Sequence, residues 1–168
     1  MAYFAIGSLA CDGGLCVTAS HNPGQYNGMK LCREGARPIS MDTGIAEIEK
    51  LCAAPYPPPV AKPGREESRE VLQDYVTHIA RFADLRRDIS VAIDAANGMG
   101  GYTLPPVLER VPRLRARTLY LEPDGTFPNH EANPLKEENL VDLKALVKAE
   151  ETELGVAFDG DADRCCFV

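Results

Sequence analysis

The sequence predicts an α/β fold of mixed sheets layered with helices, and three observations carry that prediction. Short apolar runs of strand length alternate with segments whose apolar residues recur at helical spacing. Polar or glycine-rich turns separate them. One proline-dense stretch divides the chain in two.

In chain order, the first element is the run Leu15 to Ala19, which ends at the polar cluster Ser20-His21-Asn22-Pro23-Gly24. Met29 to Cys32 follows Asn27-Gly28, a turn pair in which glycine can supply a positive φ. The two runs read as strands around an exposed loop. Ile45, Ile48, Leu51 and Cys52 then recur at helical spacing behind Asp42-Thr43, residues suited to starting a helix. Pro55, Pro57, Pro58, Pro59 and Pro63 exclude a helix or central strand, so 55–64 reads as an extended linker rather than a proline-rich ligand. Beyond it, Val71, Leu72, Tyr75, Val76, Ile79 and Phe82 mark an amphipathic helix, and Ile89 to Ile93 a buried strand. The glycine-rich turn from Asp94 to Gly101 leads to a helix around Val107 and Leu108. Thr118 to Leu121 reads as the next strand and 123–134 as a long loop. Leu140, Leu143, Leu146 and Val147 mark a helix, Leu154 to Phe158 a strand, and Cys165 to Val168 the start of another.

With 168 residues, 45% hydrophobic and 26% charged, the chain has ordinary globular composition and room for one medium domain or two small ones. A net charge of −7 argues against a nucleic-acid partner, because phosphate backbones select basic surfaces. No apolar stretch approaches the ~20 residues needed to span a bilayer, so no membrane is expected either. The opening MAYFAIGSLAC lacks the basic segment of a signal peptide, which also weighs against a lipoprotein cleavage site at Cys11. None of the six cysteines forms a CxxC pair or has a histidine at zinc-finger spacing. Reduced thiols in a cytoplasmic protein are the expectation.

Two segments carry chemistry. In Thr18-Ala19-Ser20-His21-Asn22-Pro23 a serine ends a strand before a rigid proline turn, so its hydroxyl stands at a loop tip beside a histidine. Such residues also build ordinary turns. The G-x-S-x-G nucleophile elbow of serine hydrolases is absent, since Ala19 and His21 flank the serine. The second segment is Asp159-Gly160-Asp161-Ala162-Asp163-Arg164. Three carboxylates at alternate positions can converge on one hard cation, with Mg2+ the usual choice where phosphate completes the shell. Without a cation they would repel one another, which disfavours a plain solvated turn. An EF-hand is excluded, because Arg164 stands where that loop requires glycine. Arg164 suits a phosphate clamp, its planar fork matching phosphate oxygens. The Asn97 to Gly101 turn lacks GxGxxG spacing and reads as a strand-to-helix turn rather than a phosphate cradle.

Taken together, TASHNP at 18–23, YNGMK at 26–30 and DGDADR at 159–164 resemble the α-D-phosphohexomutase superfamily, and within it the bacterial phosphomannomutase/phosphoglucomutase group. VAIDAANGMGG at 91–101 and FPNHEANP at 127–134 resemble the second domain of that group. The resemblance implies that Ser20 carries the transferable phosphoryl group, with His21 and Asn22 its loop neighbours. It implies that Lys30 is the general acid/base on the sugar hydroxyl, and that Asp159, Asp161, Asp163 and the Ser20 phosphate oxygen hold Mg2+ next to Arg164. Lysine at its ordinary pKa is a poor base near neutrality, so cations or burial would have to lower it.

The implied reaction moves a phosphoryl group reversibly between positions 1 and 6 of a hexose phosphate, through phosphoserine and a hexose 1,6-bisphosphate. Ala162 leans toward glucose or mannose phosphate, because members of the group acting on glucosamine phosphate tend to have glycine there. On this resemblance the chain is truncated at both ends: 1–64 is the later part of domain one with the Pro-rich linker, and 65–168 most of domain two. The sugar-recognition and distal phosphate-binding loops are missing, so the 168-residue chain is expected to be inactive alone. Two alternatives stand beside the mutase: a non-catalytic Mg2+-binding remnant, and a phosphohydrolase with an aspartate nucleophile in the 159–163 loop.

Overall fold

The computed structural model describes residues 1–168. It contains two compact units, Met1–Cys16 with Lys30–Val71, and Val17–Met29 with Leu72–Val168. The expected α/β fold of mixed sheets and helices is borne out.

In the first unit, helix α1 (Ala2–Ser8) precedes a three-stranded sheet of β1 (Gly13–Val17), β2 (Met29–Arg33) and β3 (Arg37–Pro38), in that order. The opening apolar run, which carries no clear periodicity in the sequence, is helical. It packs through Ile6, whose tip lies 2.1 Å from where a Cβ on Gly14 would stand. The absent side chain of Gly14 is thus what lets the helix lie on the strand. A turn with Gly35 at φ 70° and Ala36 at φ 56° reverses the chain, and β2 and β3 pair antiparallel with Arg33 opposite Arg37. Helix α2 (Ile45–Cys52) follows a turn in which the Ser40 N–H donates to Thr43 Oγ1 at 2.8 Å. Residues 53–71 carry no helix or strand, as the prolines require.

The second unit is built on a four-stranded sheet in the order β5 (Leu114–Leu119), β4 (Ile89–Asp94), β6 (Leu154–Phe158), β7 (Cys165–Phe167). Helix α3 (Leu72–Ala80) buries Val76 completely. It ends before Phe82, which the helical spacing had placed on the apolar face but which is exposed in the turn beyond. Strand β4 (Ile89–Asp94) lies between two parallel neighbours, and Val91, Ala92, Ile93 and Asp94 are all buried. Helix α4 (Gly100–Arg110) follows the glycine-rich turn and contains Val107 and Leu108 as expected, with Pro105 and Pro106 inside it. Their missing N–H groups leave the Gly101 and Tyr102 carbonyls without helical donors. Gly101 brings this helix against the chain just beyond β5, because a Cβ there would fall 1.6 Å from the Leu121 carbonyl oxygen.

Strand β5 is Leu114–Leu119, displaced from the expected 118–121. It is an edge strand that exposes Arg115 and Arg117, so its charged alternation hid it from a search for apolar runs. Helix α5 (Val141–Ala149) packs its Leu143 with Leu140, Ala92 and Ala157 in the core, with Leu146, Val147 and Val168 against them. Strand β6 (Leu154–Phe158) runs parallel to β4, and β7 (Cys165–Phe167) returns antiparallel to β6 with Phe158 opposite Cys165. Cys165 is exposed and Cys166 half-buried, as alternation in a strand requires, and all six cysteines are free thiols.

Two consequences follow for function. The DGDADR segment is the hairpin loop between β6 and β7, closed by the Asp159 N–H donating to the Arg164 carbonyl at 3.2 Å. The chain also leaves β4 toward β5 on one side and returns to β6 on the other. The carboxyl ends of β4 and β6 therefore flank a topological switch point, where open α/β sheets bind ligands. No helix is long and apolar enough to cross a membrane.

Candidate active site

The segment Val17–Met29 belongs to the second unit, and its loop is closed at the base by the Thr18 N–H donating to the Gly28 carbonyl at 2.9 Å. Past that closure the Ser20 backbone turns left-handed, with φ 56°. The conformation is uncommon for a residue with a Cβ. It is held by the Ser20 N–H donating to Thr18 Oγ1 at 2.9 Å. Thr18 Oγ1 donates in turn to Asp161 Oδ2 at 2.9 Å, so one hydroxyl ties the serine loop to the acidic loop. Thr18 belongs to the TASHNP segment, but the sequence alone assigns it no role. A threonine two residues before a serine is the only local signal of it.

Ser20 Oγ lies 2.9 Å from Asp159 Oδ2 and 3.3 Å from Asp161 Oδ1. Having one proton, it donates to one of these carboxylates at a time. It also accepts from Arg164 Nη2 at 3.0 Å. The same guanidinium reaches Asp159 Oδ2 from Nε at 3.0 Å and from Nη2 at 2.9 Å, and contacts His21 Nδ1. Asp159 is fully buried, and its Oδ1 accepts the N–H groups of Asp163 at 3.1 Å and Arg164 at 3.2 Å. A buried carboxylate needs such donors to offset lost hydration. Asp163 is exposed, with its carboxylate 3.7 Å from Arg164 Nε.

Asp159, Asp161 and Asp163 each offer a carboxylate oxygen within 4.8 Å of the others, an arrangement able to hold a metal ion. All the donors are hard oxygens, Ser20 Oγ among them, which fits a cation of the Mg2+ type. Of the site residues expected from sequence, Ser20, His21, Asp159, Asp161, Asp163 and Arg164 stand together in the second unit. Lys30 is a half-buried residue of β2 and belongs to the first unit.

Comparison with known proteins follows the same lines. Residues 73–168 match the family model described as phosphoglucomutase/phosphomannomutase, alpha/beta/alpha domain II, and residues 1–56 match that for domain I. A phosphomannomutase of Escherichia coli is 41% identical over 172 residues, covering 97% of this chain and 38% of that protein. Phosphohexose mutases of Xanthomonas campestris pv. campestris are 40% identical, covering 98% of this chain and 37% of theirs. A crystal structure of a phosphoglucomutase/phosphomannomutase family protein from Burkholderia thailandensis superposes with a TM-score of 0.79 at 33% identity, over 94% of this chain and 33% of that one. The chain thus spans little more than a third of the length of the relatives it matches.

Proposed function

Because the chain belongs to the phosphoglucomutase/phosphomannomutase family, we propose that it carries the phosphoryl-bearing and metal-holding part of a hexose-phosphate mutase. Residues 1–64 correspond in this reading to part of the first domain and 65–168 to most of the second. Ser20 is the phosphoryl carrier, and the hexose is a mannose or glucose phosphate. One observation carries the reading: Ser20 Oγ lies 2.9 Å from a buried carboxylate of the acidic loop and 3.0 Å from Arg164.

Asp159, Asp161 and Asp163 would hold Mg2+, which when bound neutralises charge on the transferring phosphoryl group. Arg164 spans Asp159 and Ser20 Oγ, so it orients any phosphate on that oxygen with a fixed planar donor set. His21, in contact with the same guanidinium, supports that orientation. The P–O bond to Ser20 Oγ breaks as a sugar hydroxyl attacks the phosphorus, and Lys30 takes the hydroxyl proton. The hexose 1,6-bisphosphate so formed returns its other phosphate to Ser20, and Lys30 gives the proton back.

Incubation with glucose 1,6-bisphosphate and Mg2+, followed by phosphopeptide mass spectrometry, tests this. Label on Ser20 is the expected outcome. Label on Asp159 or Asp161 would instead mark an aspartate-nucleophile phosphohydrolase.

A further inference from the structure

The loop between β5 and α5 touches both chemical loops and is fastened beneath them. Gly125 lies against the serine loop, where a Cβ on Gly24 would stand 2.5 Å from the Gly125 carbonyl oxygen. Phe127 lies against the acidic loop, its ring tip 3.4 Å from where a Cβ on Gly160 would stand. Behind these contacts His130 Nε2 meets the buried Asp94 Oδ2 at 2.9 Å, and His130 Nδ1 meets the Glu131 carbonyl at 2.9 Å. Both partners are acceptors, whereas a neutral imidazole has a single N–H. Both contacts are hydrogen bonds only in the imidazolium form.

Asp94 ends β4, and its Oδ1 accepts the Ala96 N–H at 2.8 Å, setting the turn that follows. In that turn Asn97 accepts from Asn129 Nδ2 at 2.8 Å through its side chain, and from the Asp124 N–H at 2.8 Å through its carbonyl. Two residues on, the Met99 N–H donates to the Gly160 carbonyl in the acidic loop at 2.8 Å. Gly98 permits that approach, since a Cβ there would fall 2.6 Å from the Gly160 oxygen.

We infer that His130 is a positioning residue: its cationic ring locks the 123–134 strap to Asp94 and so fixes the acidic loop against the serine loop. The inference rests on reading Asp159, Asp161 and Asp163 as metal ligands, and it makes Mg2+ affinity depend on the charge of a residue that touches neither metal nor sugar. The groups facing His130 are Asp94 of β4, the Tyr120 ring beyond β5 in edge contact, and Asp142 of α5, which accepts from Tyr120. The Glu131 side chain pairs with Lys136. The Asp94 hydrogen bond holds the His130 pKa above its ordinary value against the opposing effect of burial, with the Glu131 carbonyl and the charges of Asp94 and Asp142 adding to it.

The sign is then fixed. The lock is complete at low pH and is lost as pH rises through the folded His130 pKa, above the unfolded value of about 6.5. Carboxylate ligands change in the opposite sense, since losing protons only favours a cation. The test is a pair of measurements at a series of pH values from about 6.5 upward. The first is hydrogen exchange of the Met99 amide in metal-free protein, corrected for intrinsic rate. The second is Mg2+ affinity by calorimetry. Wild type should lose Met99 protection and bind Mg2+ roughly tenfold more weakly as His130 deprotonates, the scale typical of outer partners of a metal site.

His130→Gln keeps a donor for Asp94 but has no titrating proton, so both readouts should be flat in pH. The two proteins differ only at position 130, so the difference between them isolates His130. The same pH step in His130→Gln as in wild type, or no step in wild type, overturns the inference. Should His130→Gln fail to fold, Asn129→Ala serves: it should lower Met99 protection while retaining the step, and wild-type protection would overturn the strap. Absence of Mg2+ binding at every pH would overturn the metal reading alone, and Met99 in metal-free protein would still decide the role of His130.

Discussion

Gly160 meets Ser20 backbone to backbone: a Cβ added to Gly160 would stand 2.3 Å from the Ser20 carbonyl oxygen. The serine loop and the acidic loop therefore approach more closely than any other residue at 160 would allow. Gly160→Ala should force them apart. We expect a destabilisation of about 1–3 kcal/mol, the usual scale for overpacking against a fixed backbone. Chemical denaturation measures it. Gly7→Ala in helix α1 is the control, since nothing lies within 4 Å of its added methyl group. That substitution should be neutral or stabilise by up to about 1 kcal/mol. Equal effects of the two would remove the close approach as a constraint.

Asp161 accepts from Thr18 and lies 3.3 Å from Ser20 Oγ, so it belongs to the serine loop as much as to its own. In calorimetric titration the wild-type chain should bind Mg2+, and Asp161→Ala should lose that heat. Thr18→Val should retain binding but weaken it several-fold, because the Ser20 N–H and Asp161 lose their shared partner. Identical isotherms for wild type and Asp161→Ala would refute the assignment of a metal to this loop.

How much of this was legible follows from where the physics is local. The acidic loop declares itself because three carboxylates crowd into six positions, an arrangement hard to explain without a cation, whereas the serine loop, whose residues also build ordinary turns, is legible only in company with it. Leu143, Leu146 and Val147 were readable because one face of α5 is buried, and Leu140, in the turn just before it, joins the same core. Strand β5 was displaced because an edge strand can keep arginines on its open face. The helix beyond the 94–101 turn was legible from Val107 and Leu108, even though Pro105 and Pro106 contradict local propensity and are tolerated in the packed structure. The Asp94–His130 pair was invisible for another reason. Its partners lie 36 residues apart, one of them inside an apolar strand, and only the fold brings them together.

Tyr120 offers a check that needs neither metal nor sugar. Its hydroxyl donates to Asp142 Oδ2 at 2.7 Å, and this bond pushes its pKa up to about 12, helped by burial and by the charges of Asp142 and Asp94. A tyrosine that holds its proton in the folded state contributes stability that is intact below the unfolded value of about 10 and is lost between there and about 12. The difference in phenolate absorbance between wild type and Tyr120→Phe should titrate near the upper value, and Asp142→Asn should move it down. A difference curve centred near 10 in both backgrounds would show that the Asp142 bond does not form in solution.

The last prediction concerns Ser20 and Lys30, which the mutase reading gives different tasks in one reaction. Incubated with glucose 1,6-bisphosphate and Mg2+, a full-length protein carrying these 168 residues should become phosphorylated on Ser20. Ser20→Ala should take up no label there and lose turnover by several orders of magnitude, because the group that accepts the phosphate is gone. It should keep its fold. The Ser20 Oγ is one of several donors to Asp159, whose bonds to Arg164 and to the N–H groups of Asp163 and Arg164 remain. Lys30→Ala should behave otherwise: the label still arrives on Ser20, but its transfer to glucose 1-phosphate slows by roughly 10²–10⁴-fold, the range typical of a lost general acid/base. Rapid-quench measurement of label leaving Ser20 separates the two steps. Wild-type transfer from phosphorylated Lys30→Ala would remove Lys30 from the chemistry while leaving Ser20 as the carrier. Label arriving at Asp159 in Ser20→Ala would overturn the carrier itself.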